Sequence, residues 1–163
     1  MLGIVLGEIK GRVMAKQETI LYLEDDDFPG FNLSFWVGVG GLNERGDVML
    51  IQALFNFIAD GHEISRTGLP SAARLPVLTG ILDGRTIEAI TAFQLRWMKQ
   101  LLPSFAGKVF PLPAGYRMKS LSDKAPMLHM LNVMARDSTG GPSNPLPKAM
   151  LKAFPELLPL IRP

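Results

Sequence analysis

Few side chains in this sequence stand at spacings that do chemistry. Asp60, His62 and Glu63 fall within one short stretch, a set able in principle to hold a metal or move a proton. The other histidine, His129, is far away in the chain, and neither an H-x-x-x-H nor an H-E-x-x-H spacing occurs. The set therefore reads as a surface loop. Asp25-Asp26-Asp27 invites calcium, but an EF-hand loop needs alternating oxygen ligands and a closing Glu. Neither is present, and a solvated turn is expected. There is no cysteine, hence no thiolate metal site, no Cys nucleophile and no disulfide. The G-x-S-x-G elbow and the phosphate loop are both missing. Gly38-Val39-Gly40-Gly41 has the wrong spacing for a dinucleotide loop, and no doubly wound pattern comes after it. Glu8, Glu18 and Glu24 lie on an N-terminal segment too small for a catalytic lobe, and nothing singles out a pair among the 15 carboxylates for glycoside hydrolysis. No catalytic residue, metal or cofactor is expected.

The stronger signal is a repeated phrase. Val48-Met49-Leu50-Ile51-Gln52 and Ile90-Thr91-Ala92-Phe93-Gln94 each place a branched apolar residue three positions before a large one, with Gln next. On a helix, positions i and i+3 share a face, so both phrases turn two apolar residues inward and set the Gln at the edge. There its amide satisfies loop groups, the structural role preferred here over direct ligand contact.

These phrases need helices to carry them. The first helix is expected from Asp47, as N-cap, to Asp60, with Val48, Ile51, Leu54, Phe55 and Ile58 inward and Gly61 as its end. The second should run from Arg85 to Leu102, capped by Asp83 or Thr86 and stopped by Pro103. Ile87, Ile90, Phe93, Leu95, Trp97 and Met98 cover much of its surface, which predicts the most buried helix. Trp97 comes one turn after Phe93 and is expected in the core. A third helix is expected over 120–136, with Leu121, Leu128, Leu131 and Met134 inward and Asp123 as cap if it starts near Pro126. Residues 1–36 read as a β-hairpin or three-strand meander that must pack on the downstream helices to bury enough surface. Residues 137–163 read as a Gly/Pro linker and a short apolar C-terminal helix interrupted by Pro155 and Pro159. Trp36 is expected beneath the N-terminal strands, with stacking on a sugar ring as the alternative.

The chain has 163 residues, 47% of them apolar, enough for one domain with extensions and a substantial core. The formal charge of +2 is too balanced to argue for a nucleic-acid partner. No apolar run reaches the ~18 residues of a membrane span, so no membrane partner is expected. Met1–Leu6 lacks a preceding basic region and is closely succeeded by Glu8, which does not fit a Sec signal. A site outside the cytoplasm would then require another export route.

The span from Val37 to about Asn132 resembles the peptidoglycan-binding domains appended to many bacterial wall hydrolases. Asp47, Val48, Ile51, Gln52 and Leu54, then Gly80, then Thr86, Ala89, Ile90, Phe93 and Gln94 follow that family's phrase. Val37 to Asn43 ahead of Asp47-Val48 is similar to a subgroup found near type VI secretion genes, and Ala106-Gly107-Lys108-Val109 with Gly115-Tyr116-Arg117 matches its second loop. Thr79 and Ala106 stand where those loops usually carry Asp. The resemblance implies a mainly α fold: a three-helix core over 37–136, a small N-terminal hairpin or meander over 1–36 and a Pro-rich C-terminal helix. It implies non-catalytic binding of peptidoglycan, by its glycan or its stem peptide, in the periplasm or after secretion by a non-Sec route, with cytoplasmic residence before export. Arg45 and Arg85 are the expected carboxylate ligands, and Asn43 and Asp83 the expected partners for hydroxyls or amides. For Asn43 and Asp83 a turn or a helix cap is the competing role; for the arginines it is a solvated surface charge. An adaptor or effector component of a type VI system, docking a partner protein, is the second expectation, and a small hydrolase with an unrecognised site the third.

Overall fold

The structure is a computed structural model that describes residues 14–22, 26–62, 64–98, 103–118, 125–141 and 143–163. The readings on Ile4, Leu6, Glu8, Glu24, Asp25, Glu63, Leu121 and Asp123 lie outside the described residues.

The fold is mainly α with a small N-terminal sheet. Strands β1 (Ala15–Tyr22) and β2 (Phe28–Asn32) form an antiparallel hairpin, with Thr19 opposite Pro29 and Gln17 opposite Phe31. Pro29 has no N–H to give to a ladder. Phe31 directs its N–H and C=O away from β1, to the Asn132 amide at 2.8 and 2.9 Å. Asn132 thus takes the place of a neighbouring strand. Strand β3 (Val37–Gly38) precedes helix α1 (Arg45–Gly61) and the short α2 (Ile64–Thr67). Next come α3 (Gly84–Trp97), β4 (Lys108–Val109), which pairs with β3, and β5 (Arg117–Met118). Helices α4 (Met127–Asp137) and α5 (Leu146–Ala153), a 3-10 turn over Pro155–Leu160 and β6 (Ile161–Arg162) complete the chain. Both β5 and β6 pair in parallel with β1, one at each end. The C-terminal segment therefore docks on its own chain, not as one interrupted helix but as α5, a 3-10 turn and a strand.

One apolar core runs from Ala15 through the helices to Ile161. Its centre is α1, not α3 as expected. Every residue from Asp47 to Phe55 is buried, whereas α3 buries only Thr86, Ala89, Ile90, Phe93 and Gln94. Leu95, assigned to the inward face, is 75% exposed. Helix α3 leaves helical geometry at Met98, ahead of Pro103. Trp97 is half-buried rather than core; it leans on Phe93 with centroids 6.3 Å apart, and its indole N–H donates to the Thr67 carbonyl at 2.7 Å.

Two caps differ from expectation. Helix α1 starts at Arg45, so Asp47 lies inside its first turn. Its carboxylate accepts from the Ser34 and Phe35 N–H groups at 3.0 and 2.9 Å, tying α1 to the end of the hairpin. Burial pushes its pKa up, against those two hydrogen bonds. Helix α4 begins directly after Pro126, a proline-initiated start that needs no N–H from it. Gly61 does close α1, and a Cβ there would collide with Ser138.

Candidate functional site

The two repeated glutamines each hold a glycine turn. Gln52 is fully buried. Its Oε1 accepts from the N–H groups of Thr79 and Gly80 at 3.0 and 2.9 Å, and its Nε2 donates to the Ile81 carbonyl and the Thr86 hydroxyl, both at 3.0 Å. The Thr86 hydroxyl donates onward to Asp83 Oδ1 at 2.6 Å, which also accepts the Thr86 N–H at 2.8 Å. Gln94 repeats the arrangement. Its Oε1 accepts from Gly107 N–H at 2.8 Å, and its Nε2 donates to the carbonyls of Phe105 and Lys108 at 3.1 and 2.9 Å. Gly80 and Gly107 both have φ of 69°, a left-handed conformation that favours glycine. The local reason is the same in both halves: an apolar i, i+3 pair buries the helix face and leaves the amide at its rim, opposite a turn whose backbone groups need partners.

A third loop is held by its own amide. Asn43 accepts from Gly38 N–H at 2.8 Å and donates to the carbonyls of Gly38 and Gly41 at 3.0 Å each. This loop lies against both others. A Cβ on Gly80 would meet Arg45, and a Cβ on Gly38 would meet the Gly107 carbonyl. Three amide-tied loops, 38–45, 79–86 and 105–110, therefore share one surface.

That surface carries side chains that are not spent on packing. Val39, Leu42, Ile81 and Phe105 are exposed at 57%, 63%, 68% and 42%. Arg45 and Arg85 are exposed and form no ion pair among the described residues. Trp36 is half-buried and stacks on Phe110 at 5.4 Å, Phe105 meets Phe110 edge-on at 5.2 Å, and the Lys108 ammonium lies 5.1 Å from the Trp36 ring. Trp36 thus packs across the β3–β4 pair rather than under the N-terminal strands. Aliphatic tips, the exposed Phe105 ring and three cations on this loop surface suit an amphiphilic ligand with carboxylates.

Of the residues singled out in the sequence, Arg45 touches the turn at Gly80 that leads to Asp83 and Arg85, and Asn43 lies on the Arg45 loop. Asn43 and Asp83 are engaged as turn stitch and helix cap, and the two arginines reach solvent. The aromatic group of Trp36, Phe105 and Phe110 was not assembled from the sequence. Its signal was two phenylalanines flanking Gly107, in a stretch read only for its likeness to the second loop of the family subgroup.

In the other two sets, His62, Asp26 and Asp27 have partners of their own. His62 lends its Nε2 to the Met134 carbonyl at 3.1 Å. Asp26 pairs with Arg136 at 2.9 Å, and Asp27 with Arg117 in a two-pronged bond of 2.7 and 2.8 Å, which holds Asp27 below its ordinary 3.8. Among the described residues no group of His, Asp and Glu is placed to hold a metal, and no helix is long and apolar enough to cross a membrane. Comparison with protein-family models, curated proteins and solved structures finds no match.

Proposed function

We propose that this protein is a non-catalytic binder of bacterial cell-wall peptidoglycan, which it meets outside the cytoplasm, carrying itself or a partner to the wall. In this reading α1, α3 and α4 are the three-helix core of a peptidoglycan-binding module, and the three amide-tied loops are its ligand face. The observation that carries the reading is the duplicated clamp. Gln52 and Gln94 occupy equivalent places in the two halves of the family's motif, and each fixes the glycine turn after it. Arg45, Arg85 and Lys108 would meet stem-peptide carboxylates, and the exposed apolar side chains the sugar faces. Each site is shallow, and a repeating polymer compensates through avidity. Thr79 and Ala106, in place of the usual acidic residues, leave the face more basic than the motif prescribes, which favours the anionic peptide over neutral sugar.

The test is co-sedimentation with purified insoluble peptidoglycan, with the supernatant checked for released muropeptides by mass spectrometry. Retention without products is expected, weakened in Arg45→Ala and Arg85→Ala. A second reading, an adaptor or effector component of a type VI system acting by protein docking, draws on the exposed Val39, Leu42, Ile81 and Phe105. It requires a stable protein complex without wall affinity.

A further inference from the structure

His129 on α4 is fully buried, and neither ring nitrogen has a hydrogen-bond partner among the described residues. The ring lies between Tyr22 of β1, centroids 5.9 Å apart, and Tyr116, 5.5 Å away and edge-on. Tyr116 belongs to a strap, residues 110–118, that packs on β1. Asn32 holds Leu112 N–H and C=O at 2.8 and 3.1 Å, Arg117 grips Asp27, and β5 pairs over two residues only. Between strap and strand is a half-open cavity of about 290 Å³ lined by Glu18, Thr19, Ile20, Leu112, Pro113 and Tyr116 among others.

The described charged groups near the ring and the cavity are already committed: Glu18, which lines the cavity, pairs with Lys16 at 3.0 Å and accepts from the Asn32 amide at 2.9 Å. Arg117 and Asp27 hold each other, and Arg136 pairs with Asp26 and Asp137 while its guanidinium lies over Tyr22 and Phe28. Asp47 on α1 is the buried carboxylate among the described residues, and it serves Ser34 and Phe35. Among the described residues no uncommitted carboxylate is placed to accept a hydrogen bond from an imidazolium, so a proton on His129 demands water. Of the two tyrosines against the ring, Tyr22 is buried, whereas Tyr116 is half-buried and lines the cavity.

We propose that His129 is an acid-sensitive latch, whose protonation lifts Tyr116 and the strap off β1 and opens the cavity beneath. Burial pushes the His129 pKa below its ordinary 6.5. The open state therefore takes up its proton at a higher pH than the closed state does, and opening becomes easier as pH falls below 6.5. The Asp27–Arg117 fastening survives in the same range, because Asp27 is held below 3.8.

Hydrogen exchange of the Leu112 and Tyr116 amides tests this between pH 7 and 5, after correction for intrinsic rates. Protection is expected to fall by up to about tenfold per pH unit below 6.5. The fall should vanish in His129→Leu and persist in His62→Gln. A flat profile in the natural protein, or an unchanged fall in His129→Leu, would overturn the latch. Should that variant not fold, NMR titration of the natural His129 ring decides. A midpoint below 6.5 with strap signals moving in step supports the latch; a midpoint at or above 6.5, or stationary strap signals, refutes it.

Discussion

The Gln52 and Gln94 clamps use the same parts in different settings. Gln52 sits on the central helix, gathers two N–H groups, a carbonyl and a hydroxyl, and is wired through Thr86 to the Asp83 cap of the next helix. Gln94 sits on the more exposed α3, gathers one N–H and two carbonyls, and its loop ends in a two-residue strand pair. The first clamp therefore positions a helix, and the second positions a surface. A duplicated motif has been specialised by what each copy is wired to, not by the glutamine itself.

The largest effect should come from breaking the first clamp. Gln52→Ala leaves buried N–H groups unpaired and should cost about 3 kcal/mol in urea unfolding, against about 2 for Gln94→Ala. Equal costs would remove the distinction between the two halves. The glycines sharpen it. Gly80→Ala meets both an unfavourable φ and Arg45, and should cost about 2 kcal/mol; Gly107→Ala has the same φ but open space, with Val39 4.0 Å away, and should cost about 1.

A smaller effect concerns pH. The folded pKa of Asp47 is raised above 3.8 by burial, so its contribution to stability is fully present below 3.8 and is lost as pH rises through the folded value. Stability measured against pH should show that loss in the natural protein and not in Asp47→Asn, which will be less stable throughout because it gives up an acceptor for Ser34 or Phe35. The smallest effects on folding belong to Arg45→Ala and Arg85→Ala, within about 0.5 kcal/mol of the natural protein. These same variants should lose wall retention, which separates surface from scaffold.

What the sequence made legible was local. Helical spacing placed both glutamines at the rim of a buried face, and Asp83 was recognisable as a cap because its partner, Thr86, is three residues on. Asp47 looked like a cap for the same reason, yet its partners lie upstream in the hairpin exit. The amides of Asn32 and Asn132 escaped notice because their loops are 80 and 101 residues away in the chain. Leu95 was misplaced because apolar residues around a helix count candidates for burial without saying which neighbour arrives. The proposed ligand face was half legible: its arginines sit beside motif residues, whereas Trp36 meets Phe110 only once β3 and β4 pair.

The most direct measurement is an NMR titration of the labelled protein with soluble peptidoglycan fragments that carry intact stem peptides. Shifts confined to the loops 38–45, 79–86 and 105–110, and weakened in Arg45→Ala and Arg85→Ala, are the expected result. Silence in those loops at saturating fragment, or shifts centred elsewhere on the molecule, would contradict wall binding through this face.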